Sequence, residues 1–441
     1  IRMIDNVIEI ATPKDKAINS DFLDTLPFVK SSTCTVKTWI AGSAKTTTKP
    51  SANAKIIKTI SPLSAICCPI SNPIGTEPLS SLAKDKKHIV IISSDHTRPV
   101  PSHITMPIIL EEIRKSNPTV QITILIATGM HRPTTHEELV AKYGEKIVKE
   151  EKIVVHSAYV DSDMTFKGIL PSGGELWVNK LVDECDLLIS EGFIEPHFFA
   201  GFSGGRKSVL PGIASKKTVL WNHNAKFIAS GLAKAGNLET NPIHKDMLFA
   251  AKAVGLKFIL NVVLNGEKKI IKAFAGDVEK AHEHGCKLVK DIAEVKPIYS
   301  DIVITTNGGY PLDQNIYQTV KGMTAGEATV NENGVIIILS SCADGSGGEF
   351  FYKLLADASS AQEAYQKLND VEPKDTEFDQ WEAQILARIL TKANVIIVST
   401  HCDPKIIKAM HIKHASSLDE ALEMASTIVV INGLAITAGS N

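Results

Sequence analysis

The stretch from Glu195 to His223 combines reactive and charged residues in a way that the needs of folding alone do not readily explain. Two histidines, His197 and His223, flank a glycine-rich turn that runs from Ser203 to Lys207 and ends in two adjacent cations. Such a turn lets backbone N–H groups approach an anion closely, and Arg206 and Lys207 can balance its charge. The turn therefore suits a phosphate or carboxylate, although a tight strand-to-helix connection explains the glycines equally well.

The same stretch lacks the patterns of several common sites. The turn matches neither GxxxxGK[ST] nor GxGxxG, so neither a P-loop nor a dinucleotide fingerprint is indicated. A neutral imidazole serves as a metal ligand or as a polar core residue, which leaves both roles open for His197 and His223. Because no second Cys or His stands at zinc spacing, the sequence argues against a closed four-ligand zinc site.

Composition and length narrow the class of protein. A chain of 441 residues exceeds what one hydrophobic core usually serves, so we expect two domains. With 44% hydrophobic and 22% charged residues, the composition is that of a soluble globular protein, and a net charge of -2 gives no reason to expect nucleic acid. No apolar run approaches the ~20 residues of a membrane span. The seven scattered cysteines indicate reduced thiols, and we expect a cytoplasmic protein.

From Lys87 onward, apolar runs alternate with amphipathic helical stretches such as Ser102–Lys115, the pattern of a largely parallel sheet. The strands predicted in the first half are His88–Ser93, Gln121–Ala127, Lys152–His156, Cys185–Ser190 and Lys257–Leu264. The strands predicted in the second half are Asp301–Thr305, Val335–Leu339, Asn394–Ser399 and Thr427–Ile431. We therefore predict an α/β protein whose two domains each contain a mostly parallel sheet, with the active site in the crevice between the domains.

The predicted domain boundary lies near residues 290 to 298. We assign residues 71–293 to an N-terminal α/β domain that binds the ligand of the glycine-rich turn and residues 294–441 to a C-terminal α/β domain. Residues 1–70 form a weakly specified segment that we attach to the first domain. Within it, the stretch from Thr25 onward is rich in Lys, Ser, Thr and Ala and contains no acidic residue.

Charged and histidine side chains follow successive strands of the first half. Asp95 and Arg98 come after the first predicted strand, His131 after the second and His197 after the fourth. Each alone is more simply a solvated loop residue, but loops at the carboxyl ends of parallel strands converge at one crevice, where ligands bind. Just after His131, the spacing of Thr135 and Glu138 predicts a capping box at a helix start.

In the second half, the stretch from Asn315 to Gly322 is predicted to be helical. Tyr317, Gln318 and Lys321 can then share one helix face, either as a functional group or as an exposed polar surface. Trp381 is most simply a core or interface aromatic.

Four motifs occur in order along the chain: SDHTRP at Ser94–Pro99, TGMHRPTTHEEL at Thr128–Leu139, EPHFFAGFSGGRKSVLPGI at Glu195–Ile213 and GGYPLDQNIYQTVKGM at Gly308–Met323. Together they resemble the nickel-dependent lactate racemase family, and the match runs from about Asn72 almost to the C-terminus. None of the four is a generic nucleotide-binding pattern, so the resemblance is specific.

The resemblance implies a nickel-pincer nucleotide as cofactor, a pyridinium mononucleotide bonded to nickel through carbon and two sulfurs. Lys207 matches the lysine that bonds covalently to this cofactor, and His223 matches the nickel ligand. His131 and His197 match the two catalytic histidines. The remaining matches are the cofactor-binding residues Asp95 and Arg98, the substrate-binding cations Arg98 and Lys321, and the substrate-site residues Tyr317, Gln318 and Trp381.

The activity implied is interconversion of L- and D-lactate by reversible hydride transfer to the cofactor through pyruvate, with the histidines as acid and base. Hydride removal suits a 2-hydroxy acid because its carboxylate disfavours the carbanion that proton abstraction would leave. Expected partners are lactate or a similar acid and the proteins that synthesise the cofactor. Two alternatives stay open: a racemase or epimerase of another 2-hydroxy acid, and a nucleotide-binding carrier without its own chemistry. An NAD-dependent dehydrogenase is disfavoured because no GxGxxG follows the first strand.

Overall fold

The computed structural model describes residues 3–4, 7–9, 62–310 and 312–438. Contacts divide the chain into two compact units. The larger unit comprises Lys58–Val295 and Gly348–Arg388, and the smaller unit comprises Ile1–Ile57, Lys296–Gly347 and Ile389–Asn441. Most of the predicted N-terminal segment, residues 10–61, lies outside the described residues.

The described strands, in chain order, are β1 Met3–Ile4, β2 Val7–Glu9, β3 His88–Ser94, β4 Gln121–Ala127, β5 Lys152–Val155, β6 Met164–Ile169, β7 Glu175–Asn179, β8 Leu187–Phe193, β9 Pro196–His197, β10 Gly201–Phe202, β11 Leu256–Leu264, β12 Ile270–Gly276, β13 Ser300–Thr306, β14 Val330–Leu339, β15 Asn394–Val398 and β16 Lys413–Ala415.

The described α-helices are α1 Pro62–Ser71, α2 Leu79–Ala83, α3 Ser102–Ser116, α4 His136–Tyr143, α5 Glu145–Glu150, α6 Lys216–Asn222, α7 Ala225–Ala229, α8 Pro242–Ala253, α9 Lys280–Ala293, α10 Ile316–Glu327, α11 Glu349–Ala356, α12 Ala361–Asn369, α13 Gln380–Lys392, α14 Pro404–Ala409 and α15 Leu418–Ala438. Short 3-10 turns occur at Asp161–Asp163, Lys180–Val182, Gly205–Ser208 and Pro373–Asp375.

The larger unit contains a six-stranded sheet in the order β12-β11-β8-β3-β4-β5. All neighbours pair in parallel except β12, which pairs antiparallel with β11 at the edge. From β3 the chain passes to β4 and β5 on one side, and later to β8 and β11 on the other. The strand order therefore reverses between β3 and β8, and the carboxyl ends of these two strands form a topological switch point.

Burial explains why the central strands are continuous apolar runs. Ile89–Ile92 of β3 and Ile124–Ile126 of β4 are fully buried because helices cover both faces of a parallel sheet. Met106, Ile109 and Ile113 of α3 belong to the same core cluster as these strands. Each such side chain contributes roughly 1.5–3 kcal/mol on burial. The sheet is thus a rigid base for the loops at its carboxyl edge.

The smaller unit contains a six-stranded sheet in the order β1-β2-β13-β14-β15-β16. Strands β13 to β16 are parallel, whereas β2 pairs antiparallel with β13 and with β1. Helix α15 packs on this sheet through Ala421 and Ala425, which share a core cluster with Ile337 and Ile396. Together the two sheets confirm the predicted α/β class with mostly parallel strands.

The strand predicted at Thr427–Ile431 is wrong, because these residues lie within α15. A run of β-branched residues favours a strand, but Ala421 and Ala425 are spaced four residues apart and pack one helix face against the sheet. Thr427 donates its hydroxyl to the carbonyl of Glu423, four residues earlier, as Thr does in a helix.

The compact units also differ from the predicted linear domains. The chain leaves the larger unit at Val295, yet Gly348–Arg388 returns to it, and β2 pairs with β13 of the smaller unit. Specific contacts hold the returning segment: Gln384 Nε2 donates to the carbonyl of Ala225 at 2.9 Å, and Lys226 Nζ lies 2.9 Å from Glu372 Oε2. A pattern of local periodicity does not contain such long-range contacts.

Candidate active site

Three chain segments with predicted site residues leave the carboxyl edge of the larger sheet. Asp95 follows β3 directly, His131 follows β4 after a short turn, and His197 lies four residues beyond β8. Since β8, β3 and β4 are adjacent, these segments begin side by side at the switch point. The capping box predicted after His131 is confirmed: Thr135 accepts from the N–H of Glu138, whose carboxylate accepts from the N–H of Thr135.

Asp95 and His131 form a hydrogen-bonded pair, with 2.7 Å between Asp95 Oδ2 and His131 Nδ1. Asp95 is 2% exposed, and its Oδ1 accepts from the N–H and the hydroxyl of Thr97 at 3.1 and 2.6 Å. Burial alone would raise the pKa of Asp95, but the hydrogen bond and positive charge of His131, with Arg98 and Thr97, hold it well below its usual value. When the ring is neutral, the ionised carboxylate places the proton of His131 on Nδ1 and leaves a lone pair on Nε2.

Arg98 is exposed beside this pair, and its Nη1 donates to the Thr97 hydroxyl at 2.7 Å. Thr97 therefore links Arg98 to Asp95, since it donates to Asp95 Oδ1. A guanidinium has five N–H donors in a planar fork, which suits bidentate binding of a carboxylate. Sequence reasoning missed Thr97, although it stands inside the SDHTRP motif.

The glycine-rich turn is shaped by close packing. Gly204 and Gly205 have φ of 76° and 52°, and a Cβ on Gly204 would lie 2.7 Å from the carbonyl oxygen of Phe193. The N–H of Gly205 donates to Asn261 Oδ1 at 2.7 Å. Only glycine tolerates both the left-handed backbone and this approach. The turn then leads into the 3-10 turn Gly205–Ser208, which carries Lys207.

Arg206 points into the protein, so the expectation that it balances the charge of a bound anion is wrong. Its side chain is 0% exposed, and its N–H groups donate to the carbonyls of Ala200 (2.7 Å) and Phe202 (2.8 Å) and to Nδ1 of His244 (2.9 Å). Burial lowers its pKa to about 10, which still leaves it charged at neutral pH. Arg206 therefore fixes the backbone around the turn, as its forked donors satisfy buried carbonyls.

Lys207 Nζ lies 3.1 Å from His197 Nε2 and 5.6 Å from the centre of the Phe199 ring. The other nitrogen of His197, Nδ1, accepts from the N–H of Ala200 at 3.3 Å. A neutral His197 therefore carries its proton on Nε2, the ring nitrogen that faces Lys207 Nζ. A lysine side chain at this place can act as a nucleophile once it has lost its proton.

His223 ends helix α6 and is 5% exposed. Its Nδ1 donates to the carbonyl of Val219 at 3.0 Å, which leaves the lone pair on Nε2. Burial, together with the charge of Lys207, lowers its pKa to about 3, so the ring is neutral at physiological pH. Phe199 and Trp381 pack edge-on against it, each with a centroid distance of 5.1 Å.

Trp381 is thus brought to the predicted nickel ligand within the larger unit, although 158 residues separate the two in sequence (381 − 223). The aromatic residue that sequence reasoning missed is Phe199, which contacts His197, His223 and Lys207. The run of two phenylalanines after His197 was its only sign in the sequence.

Tyr317, Gln318 and Lys321 lie on helix α10 of the smaller unit. Lys321 Nζ donates to Gln318 Oε1 at 2.6 Å, which confirms that these two residues share a helix face. The N–H of Tyr317 donates to the carbonyl of Ser346 in the loop after β14. The helix begins at Asn315, whose side chain accepts from the N–H of Gln318.

Sequence profiles of two known domains match the chain: the lactate racemase N-terminal domain over residues 43–236 and the lactate racemase C-terminal domain over residues 295–438. The lactate racemase of Lactiplantibacillus plantarum is 58% identical over 356 residues, which cover 81% of this chain and 84% of the relative. The chain belongs to the lactate racemase family. The relatives of that name are racemases, and the chain is therefore an isomerase, as predicted.

Two further comparisons agree with this assignment. The lactate racemase of Thermoanaerobacterium thermosaccharolyticum is 56% identical over 360 residues, covering 82% of this chain and 84% of the relative. The structure of the apoprotein from that organism superposes with a TM-score of 0.83 at 54% identity and covers 84% of this chain and 89% of its own. A Thermotoga maritima protein with a TM-score of 0.60, at 19% identity, covers 76% of this chain and 90% of its own and shares the fold.

Membership in the lactate racemase family implies a nickel-containing cofactor, and the described residues fit one. Among them, no group of three or more His, Cys, Asp or Glu is placed to hold a metal ion. The residue that would hold a metal is His223. The neutral ring, its Nε2 lone pair and the Nδ1–H bond to a carbonyl are the usual features of a histidine ligand.

The described helices include none that is both long and apolar enough to cross a membrane.

Proposed function

We propose that the chain interconverts L- and D-lactate with a nickel-pincer nucleotide that is attached covalently to Lys207 and bound through nickel by His223. When bound, this cofactor supplies a reversible hydride acceptor, so that lactate is oxidised to pyruvate and reduced again on either face. The family supports the substrate, and the environments of Lys207 and His223 support the two anchors. We further propose that the protein acts in the cytoplasm and receives its cofactor from the proteins that synthesise it.

The protein holds the substrate by its carboxylate. Arg98 is exposed at the switch point and anchored by Thr97, so its fork is available to a small anion. We assign Lys321, Gln318, Tyr317 and Trp381 to substrate binding on the family resemblance, and Asp95 and Arg98 also to the cofactor.

The protein also moves the hydroxyl proton. His131 has its Nε2 lone pair ready to accept a proton, and Asp95 stabilises the imidazolium that results. His197 has the opposite arrangement, because the N–H of Ala200 occupies Nδ1 and puts the proton of the neutral ring on Nε2. One histidine accepts and the other donates in one direction, and the roles exchange in the reverse direction. This complementary pair is the observation that carries the proposal.

The decisive experiment uses protein matured together with the cofactor-synthesis proteins. Conversion of L-lactate to D-lactate, about one nickel per chain and a covalent mass increase are expected together. His131→Ala and His197→Ala should keep the mass increase and lose racemisation, and retained racemisation in both would refute the two-histidine mechanism.

A panel of 2-hydroxy acids tests the substrate. If a larger acid racemises faster than lactate, the lactate assignment is wrong while the cofactor and histidine roles stand. A properly matured chain without nickel, adduct or activity would instead favour a carrier.

A further inference from the structure

Glu191 is a buried carboxylate on β8 that none of the roles above uses. It is 2% exposed and accepts three hydroxyl hydrogen bonds. Its Oε1 accepts from Ser93 and from Ser102, both at 2.6 Å, and its Oε2 accepts from Thr105 at 2.5 Å. Several strong hydrogen bonds fix the position of a carboxylate more firmly than a single one does.

The three donors flank the segment that carries Asp95 and Arg98. Ser93 lies two residues before Asp95, and Ser102 lies four residues after Arg98 at the start of α3, followed by Thr105. Both ends of the loop from Asp95 to Pro101 are therefore attached to one carboxylate. The loop is anchored at the switch point rather than simply extending from the strand.

The same network reaches the helix that follows His131. Ser93 gives its proton to Glu191, so Tyr143 donates its hydroxyl to Ser93 Oγ across 2.6 Å. Burial and the charge of Glu191 raise the pKa of Tyr143 well above its usual value, which keeps it a donor. Tyr143 is the last residue of α4, and Lys142 beside it donates to Ser94 Oγ at 3.3 Å.

We infer that Glu191 is a positioning residue that fixes the Asp95–His131 pair by anchoring the loop after β3 and the end of α4 to β8. Its relevance to racemisation rests on the proposed role of His131, but the positioning itself does not. Removing the carboxylate leaves three hydroxyls without their acceptor and lets the Asp95 loop move relative to His131. A displacement of about 1 Å in such a pair is enough to slow catalysis about 100-fold.

A purely structural carboxylate would have the same burial, so the test needs a matched control. Asp186 joins the same two strands, β8 and β3, at their amino ends, where its Oδ2 accepts from the N–H groups of Lys87 and His88 at 2.8 and 2.9 Å. Asp186→Asn weakens the attachment of β8 to β3 at the edge of the sheet opposite the candidate site.

The first measurement is the ring ¹⁵N spectrum of His131 in the apoprotein at a pH where the ring is neutral, assigned by comparison with His131→Ala. The wild-type ring should show the Nδ1–H form. Glu191→Ala should shift it toward the Nε2–H form that free histidine prefers, and Glu191→Gln, which keeps the shape and two of the bonds, should restore most of the wild-type signal. The Asp186→Asn spectrum should equal wild type.

Loaded with cofactor, Glu191→Ala should lose about 10- to 100-fold in kcat and Glu191→Gln less. An unchanged His131 spectrum in Glu191→Ala, or an equal change in Asp186→Asn, overturns the inference. If Glu191→Ala does not fold, Ser102→Ala, which removes one of the three donors to the carboxylate, replaces it in the same comparison with Asp186→Asn. Racemisation that survives in His131→Ala refutes the proposed role of His131 and leaves the positioning inference standing, because the spectrum is read without cofactor.

Discussion

Asp95 and His131 pair across the boundary between protein interior and solvent: the carboxylate is 2% exposed, whereas the imidazole is 44% exposed, and 2.7 Å separate Oδ2 from Nδ1. The buried partner stays ionised because the hydrogen bond and nearby charges outweigh its burial. The exposed partner thereby keeps a fixed tautomer at the protein surface when its ring is neutral.

Asp95→Asn tests this relationship. The amide can turn an N–H toward Nδ1 and force the proton of His131 onto Nε2, which removes the base. We expect kcat to fall about 100-fold or more, as an Asp-to-Asn change beside a catalytic histidine does elsewhere. Steady-state kinetics of the cofactor-loaded variant provide the measurement. Asp183→Asn, an exposed carboxylate paired with Lys167, is the control, and equal kcat values in the two variants would contradict the assignment.

Replacing Lys207 by arginine keeps the positive charge and removes the nucleophilic amine. We expect the matured Lys207→Arg protein to show no covalent mass increase, whereas Lys216→Arg, an exposed lysine nearby in sequence, should show the full increase. Intact-mass spectrometry checks both. A stoichiometric adduct on the Lys207→Arg protein would show that the cofactor is attached to another residue.

Lys321→Met should weaken substrate binding, because it removes a cation from the helix face that also carries Gln318. We expect KM to rise about tenfold or more, the effect of losing one charge-assisted hydrogen bond of about 1.5–3 kcal/mol. Lys392→Met, whose amine donates to the carbonyl of Glu327 in the same unit, is the control. A KM of Lys321→Met equal to that of wild type would show that Lys321 does not bind the substrate.

Arg206→Lys should destabilise the fold rather than alter the charge of the site. Lysine has three donors where arginine has five, so buried carbonyls around the turn lose their partners. We expect the free energy of unfolding to fall by about 3 kcal/mol. Arg132→Lys, which changes a surface pair with Glu138 and a bond to the carbonyl of Pro133, should cost less than about 1 kcal/mol. Denaturant unfolding compares the two, and equal losses would contradict the buried role.

Acid should destabilise the protein through His156, which is 1% exposed and whose pKa burial lowers to about 4. In the unfolded chain the ring is protonated near the ordinary pKa of about 6.5, whereas in the folded protein it is protonated only near pH 4. The stability due to this group is thus complete above about pH 6.5 and is lost as the pH falls, by up to ~1.4 kcal/mol per unit.

The slope of the unfolding free energy against pH reports how many more protons the unfolded chain binds than the folded one. Between pH 6.5 and 4, this number should therefore be smaller by about one in His156→Gln than in wild type. The variant at the exposed His136, His136→Gln, provides the comparison. Denaturant unfolding at a series of pH values measures the slopes. Equal slopes in His156→Gln and wild type would show that burial of this ring does not resist protonation.

The sequence by itself determined the features that depend on local patterns. Apolar runs with turn residues between them predicted β3, β4, β5, β8 and β11 of the larger sheet and β13, β14 and β15 of the smaller one, because β-branched residues favour buried parallel strands. The spacing of Thr135 and Glu138 predicted a cap that the structure contains. Four motifs in order identified the family, because residues that bind ligands are concentrated in the loops between the strands.

Only the tertiary structure decided which of these residues meet. The direction of Arg206 depends on carbonyls that its own fold brings around it, and the sequence alone left it as a surface cation. The β-branched end of α15 is helical because its alanines pack on a sheet formed by distant residues. Trp381 packs against His223 although the two residues are far apart in sequence. Glu191 likewise accepts hydrogen bonds from three hydroxyls of β3 and α3. Such contacts follow from packing between segments far apart in the chain, and a local pattern does not contain them.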